Sequence, residues 1–168
     1  MNIYLVRHGP AVDVGTQGVS TDEGRMLSAD GRAKTAAAAR GLRCMPDVFI
    51  SRIASSPLLR ARETAALFAK ELGVRHKLEV LPGLAPGGSL TAVTTWLTGQ
   101  PPGDIALVGH MPDIADLASV LACSNGAANV VFKKAAVLCL EFDGPALAGA
   151  GRFVWLMQPG TLRLLGDK

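Results

Sequence analysis

Cysteine is scarce in this chain: Cys44, Cys123 and Cys139 are all there is, an odd number without the paired spacing of a metal module. That argues against a disulfide scaffold and reads as reduced, buried thiols of a cytoplasmic protein. Long hydrophobic runs are missing too, none approaching the roughly 18 residues of a membrane span. The first residues carry neither the basic segment nor the small-residue cleavage site of a secretory signal. An excess of one charge is also lacking. Against 14 Asp and Glu stand 17 Lys and Arg, a formal net charge of +3 scattered along the chain, which makes no case for nucleic acid but tolerates a phosphorylated substrate. No repeat, low-complexity tract or linker interrupts the 168 residues, 49% of them apolar, so one domain over 1–168 with a sizeable core is expected.

What is present is organised around the first ten residues. Met1 to Val6 is an apolar, β-rich run that stops on Arg7, His8 and the chain-breaking pair Gly9-Pro10. A histidine at the carboxyl end of a buried strand stands where open α/β sheets form their ligand crevice, and Arg7 adds a permanent positive charge. Taken alone, His8 could equally cap a strand beside a solvated Arg7. The arrangement recurs further on: the strand-like run Asp104 to Val108 ends on Gly109-His110-Met111-Pro112.

Between these two points the pattern alternates. Pro10 to Leu27 has no helical period and reads as a long loop, the kind that in compact domains is functional or mobile. Ser28 offers an N-cap to a helix from Ala29 to Arg40, closed by Gly41, on which Ala33, Ala36, Ala37 and Arg40 share a face close to the sheet. Asp47 to Ser51 reads as a strand. Ser56 and Pro57 suit the cap and first position of a helix that runs to Leu72 before Gly73, with Leu58, Ala61, Ala65, Phe68 and Leu72 as its apolar stripe. Arg60 falls off that stripe, in the first turn, and by periodicity alone is a solvated arginine. Lys77 to Leu81 is a short strand, Leu90 to Leu97 a short helix, and Ile114, Leu117, Ala118 and Leu121 keep helical spacing after His110. Two β-runs, Ala135 to Phe142 and Arg152 to Met157, complete the pattern. Alternating strands and helices followed by terminal strands predict a three-layer α/β/α sandwich with a mostly parallel central sheet.

If the strands are parallel, His8 and His110 converge at their carboxyl ends and Arg60 reaches in from the start of its helix, whose free N–H groups also favour an anion. Two arginines, two histidines and a helix terminus describe a phosphate pocket. Arg7 and Arg60 can neutralise the equatorial oxygens of a phosphoryl group, and a neutral His8, its pKa lowered by neighbouring cations, can attack in line. His110 would donate to the phosphate.

The segments Leu5-Val6-Arg7-His8-Gly9, Ser56-Pro57-Leu58-Leu59-Arg60-Ala61-Arg62-Glu63-Thr64-Ala65 and Val108-Gly109-His110 resemble, in order, the three signatures of the histidine phosphatase superfamily, also called phosphoglycerate mutase-like. Leu27 to Arg32 resembles the segment that opens the first helix of that family. The resemblance implies a nucleophilic His8 that becomes a phosphohistidine, with Arg7, Arg60 and His110 holding the phosphate and no metal or organic cofactor. Compactness, Leu84 to Gly88 and Phe132 to Ala135 look most like the bacterial phosphohistidine phosphatases of SixA type, which implies a histidine-phosphorylated signalling protein as substrate.

One departure is informative. Many relatives carry a carboxylic acid in the loop after the third strand to protonate the leaving group, whereas here Pro82 to Ser89 holds no carboxylate. An alkoxide leaving group needs such help; a phosphoramidate breaks more readily, because its imidazole carries its own proton. Asp13, Asp22 and Glu23 in the first loop could supply an acid or simply be solvated. A broad phosphomonoesterase and a non-catalytic phosphate-binding module therefore stay open as alternatives. Lys133 and Lys134 could line the mouth, Gly87-Gly88 could form an anion nest or a plain turn, and His76 reads as a surface residue.

Overall fold

A computed structural model describes residues 1–74, 78–123 and 129–166, so the expectation for His76 lies outside the described residues. A central six-stranded sheet runs through them. Its strands are β1 (Asn2–Arg7), β2 (Ile50–Ser55), β3 (Leu78–Val80), β4 (Asp104–Gly109), β5 (Val137–Glu141) and β6 (Arg152–Met157), in the spatial order β3-β2-β4-β1-β5-β6. The first four are mutually parallel; β5 runs antiparallel to β1 and β6 antiparallel to β5.

The helices are α1 (Ala29–Arg43), α2 (Leu59–Leu72), α3 (Leu90–Thr98), α4 (Asp113–Ala122) and α5 (Pro159–Gly166), with a single 3₁₀ turn at Pro82–Leu84. The period-2 alternation of the strands divides the core between two faces. On one, Ile3, Leu5, Ile105, Leu107 and Leu138 meet Val93 and Leu97 of α3 and Ile114, Leu117 and Leu121 of α4. On the other, Tyr4, Val6, Ala106, Val108 and Val137 meet Ala38 and Leu42 of α1, Ala61 and Phe68 of α2, and Leu162 of α5. This is the expected three-layer α/β/α sandwich.

Details differ from the sequence reading. Strand β2 begins three residues later than expected, because its register is fixed by pairing with β4, Ile53 to Ser55 facing Ala106 to Val108, while Phe49 stays 74% exposed. Helix α1 is rotated part of the way from the face its alanines suggested: Ala37 is buried as expected, together with Gly31, Thr35, Ala38, Ala39 and Leu42, while Ala36 and Arg40 are half-buried and Ala33 is exposed. Ser28 does cap it, accepting from the Gly31 N–H at 3.0 Å. Helix α2 starts at Leu59 rather than Pro57, without a side-chain cap, and closes on Gly73 in the left-handed conformation at φ 76°. The short helix α5 follows the last strand, where no helix was expected. It seats on α1 at Gly41, where a Cβ would run into the Leu162 carbonyl.

Candidate active site

Parallel pairing of β1, β4 and β2 sets the carboxyl ends of three neighbouring strands side by side, and β4 leads into α4 on one face of the sheet while β1 and β2 lead into α1 and α2 on the other. Open α/β sheets bind ligands at such a switch point. Backbone hydrogen bonds carry the ladder one residue past each strand end, from His8 N to the Gly109 carbonyl at 3.0 Å and from Ser56 N to the Val108 carbonyl at 2.9 Å. His8, His110 and Ser56 therefore stand in a row. The rings of His8 and His110 lie 5.0 Å apart between centroids, tilted by 49°.

His8 donates from Nδ1 to the Gly9 carbonyl at 2.8 Å, which leaves the Nε2 lone pair free. It is 7% exposed. Burial pushes its pKa down to about 3; the Gly9 carbonyl opposes this, while His110, Arg60 and Arg7 add to it. His110 is pushed down to about 4, again by burial first and then by Arg60, with Asp113 and Asp22 working the other way and Arg7 adding a little. Both rings are neutral near pH 7.

Arg7 donates from Nη1 to the Phe132 carbonyl at 2.7 Å. The turn behind it is drawn tight: Ala135, in the left-handed region at φ 67°, donates its N–H to the carbonyls of Arg7 and His8 at 3.0 and 3.2 Å. Arg60, which periodicity alone leaves solvated and the phosphate-pocket reading draws into the site, is only 5% exposed. The first loop buries it. Asp22 accepts from Arg60 Nη1 through its carbonyl at 2.7 Å and from Nη2 through Oδ2 at 2.9 Å, and the Leu59 N–H donates to the Glu23 carbonyl at 3.1 Å. Arg25 secures the same loop, bonding the Val12 carbonyl, Asp13 and Asp22. The Pro10–Leu27 segment thus lies against the start of α2. Burial raises the pKa of Asp22, but the hydrogen bonds and charges of Arg60 and Arg25 outweigh it and hold the carboxyl below its ordinary range. Asp13 and Glu23 are exposed.

Among the described residues, five buried side-chain polar atoms have no hydrogen-bond partner, and three of them are nitrogens of this cluster: Arg7 Nε, Arg60 Nε and His110 Nδ1. Buried polar groups are almost always satisfied, so two unpartnered arginine N–H groups beside an unpartnered imidazole nitrogen, on side chains that all act electrostatically on His8, mark a place for an anion. The backbone of α2 contributes less than the sequence suggested, since the Leu58 N–H is taken by Ser56 Oγ at 3.2 Å and the Leu59 N–H by Glu23. At the Gly87-Gly88 turn the Gly87 N–H is held by Asp113 Oδ1 at 2.9 Å. Lys133 and Lys134 are exposed, directly after Phe132.

Two residues of the cluster escaped sequence reading. Thr64 accepts from the Gly9 N–H at 2.9 Å and donates to the Arg60 carbonyl at 2.7 Å, tying the loop after His8 to α2. Its position one turn after Arg60 was the available signal. Ser56, read as a helix cap, instead places its hydroxyl 2.8 Å from His110 Nε2.

Residues 3–85 match the model of the histidine phosphatase superfamily, branch 1. An uncharacterized protein of Picosynechococcus sp. strain PCC 7002 is 36% identical over 145 residues, covering 84% of this chain and 85% of that protein. The chain belongs to the histidine phosphatase superfamily. As a histidine phosphatase it is a hydrolase, and it is also similar to the phosphohistidine phosphatase SixA of Escherichia coli, 28% identical over 167 residues and 98% of both chains. The solved structure of the protein histidine phosphatase SixA complexed with tungstate superposes with a TM-score of 0.83 at 28% identity, covering 96% of this chain and 99% of that one.

Proposed function

We propose that this histidine phosphatase removes the phosphoryl group from a phosphohistidine carried on a signalling phosphotransfer protein, in the cytoplasm, by way of a covalent phosphohistidine on His8. The three unpartnered nitrogens around a neutral His8, Arg7 Nε, Arg60 Nε and His110 Nδ1, carry this reading. They supply donors for three phosphoryl oxygens while His8 Nε2 keeps its lone pair for phosphorus. In the first step Nε2 bonds to phosphorus as the bond to the substrate's imidazole nitrogen breaks. The departing ring takes that electron pair and leaves neutral, already protonated on its other nitrogen. The positive charge gained by His8 is met by its Nδ1–H bond to the Gly9 carbonyl. Water then attacks phosphorus, and inorganic phosphate leaves with His8 restored.

The carboxyl groups support the substrate class. The loop after β3 has none, and Asp22, beside Arg60, is held ionised and has no proton to give. A site without a proton donor suits a phosphoramidate better than an alkoxide ester. The similarity to SixA, in name a phosphohistidine phosphatase and solved with a tetrahedral oxyanion, points the same way.

The test is hydrolysis of a phosphohistidine-bearing phosphotransfer domain beside a panel of small phosphomonoesters, without added metal. The phosphoprotein is expected to lead in kcat/KM, and His8→Ala to lose roughly a thousandfold or more. A small ester preferred over the phosphoprotein would move the function to metabolite hydrolysis; unchanged turnover in His8→Ala would remove the nucleophile.

A further inference from the structure

The hydroxyl of Ser56 is fully buried, 2.8 Å from His110 Nε2, and it accepts the Leu58 N–H at 3.2 Å. A hydroxyl has one proton and two acceptor sites. One acceptor site is filled by Leu58, which leaves two arrangements. If His110 Nε2 carried the proton, both acceptor sites of Ser56 would be filled. The hydroxyl proton would then be stranded in a dry interior, and His110 Nδ1 would turn a bare lone pair toward the anion site. If Ser56 donates to Nε2, its proton is used and Nδ1 carries the ring's hydrogen. The second arrangement satisfies every group but one, and that one is Nδ1–H, a buried donor without a partner in the cluster built for phosphate.

We propose that Ser56 is a positioning residue: its hydroxyl fixes His110 in the Nδ1–H tautomer and aims that N–H at the phosphoryl group. Ser56 does not touch the substrate. It does through a histidine what a second residue behind a metal-bound imidazole does, setting tautomer and ring orientation from the far side. The strand ladder makes this possible, because Ser56 N bonds the Val108 carbonyl and so places the serine beside His110, two residues on from Val108 and the first after β4. The charged and titratable groups that act on His110 are Arg60, Asp113, Asp22 and Arg7, with the ring of His8 alongside; none of them reaches Nε2 in place of Ser56. The catalytic consequence rests on the phosphatase reading, whereas the tautomer does not.

The experiment is long-range ¹H–¹⁵N NMR of the histidine side chains at pH 7.5. Only three histidines contribute, and His110 is assigned by the signals lost in His110→Asn. Wild type should show His110 with Nδ1 protonated and Nε2 as acceptor. Ser56→Ala should give a mixture or the opposite tautomer, weaken binding of inorganic phosphate and lower kcat about tenfold, a single hydrogen bond's worth. Ser56→Thr, which keeps the hydroxyl, should restore all three. An Nε2–H tautomer in wild type overturns the proposal without any variant having to fold, and so does an unchanged tautomer in Ser56→Ala. A correct tautomer in an inactive protein would instead sink the phosphatase reading and leave the Ser56 assignment standing.

Discussion

Asp22 holds the guanidinium proposed to receive the phosphoryl group. Its carboxylate takes Arg60 Nη2 and its own carbonyl takes Nη1, so only Nε remains open. A dianionic phosphoryl group arriving beside Arg60 meets a fixed negative charge, and like charges this close oppose one another in a buried setting. Asp22→Asn keeps the shape and removes the charge. It should bind inorganic phosphate roughly three- to tenfold more tightly, read by calorimetry at low salt. Weaker binding would mean that the carboxylate holds Arg60 in its productive pose rather than competing with the ligand. The identities of Arg7, His8, Arg60 and His110 could be read from short motifs, but the burial of Arg60 could not. It depends on where an aperiodic loop lies, and the loop is placed by Arg25 and Asp22 contacts that no spacing rule encodes.

At the scale of elements, two joints hold the site's scaffold. Thr64 bridges the Gly9 N–H and the Arg60 carbonyl, so β1's exit and α2's first turn move as a unit. On the same layer α1 and α5 meet backbone to backbone at Gly41 and Leu162. Gly41→Ala puts a methyl group where the Leu162 carbonyl sits, and overpacking of this kind costs about 1–3 kcal/mol. The expected result is a lower urea midpoint, with kcat little changed where the variant is still folded. A midpoint equal to wild type would mean that α5 can shift without loss. Helix α5 was illegible in the sequence for the same reason that it is sensitive: with eight residues and two glycines it has weak propensity, and it is made by docking on α1. Ala29 to Arg40 was recognisable as a helix, which runs on through Gly41 to Arg43, but in an alanine-rich stretch nearly every face looks alike. Gly31, pressed on the Pro10 carbonyl, and Gly41 decide which way it turns.

For the whole molecule, the two neutral histidines set a dependence on acidity. Their folded pKa values, about 3 for His8 and about 4 for His110, lie below the ordinary value of 6.5. Between those limits the unfolded chain takes up protons that the folded one refuses, so stability is intact above pH 6.5 and falls as pH drops toward 4. Asp22 adds its own loss only lower, where carboxylates protonate. Urea midpoints should therefore decline from pH 7 to pH 5, and the double variant His8→Asn, His110→Asn should flatten the curve. A wild-type midpoint constant over that range would contradict the burial that keeps both rings uncharged. The sheet order has a consequence for synthesis. Strand β1 is made before both of its neighbours, β4 and β5, so Ile3 waits for Ile105 and Leu140. While a ribosome is still translating the middle of the chain, Arg7 and His8 are outside the tunnel without a partner strand. The segment that bears the proposed nucleophile appears well before its partner strands and completes its part of the sheet only after they do.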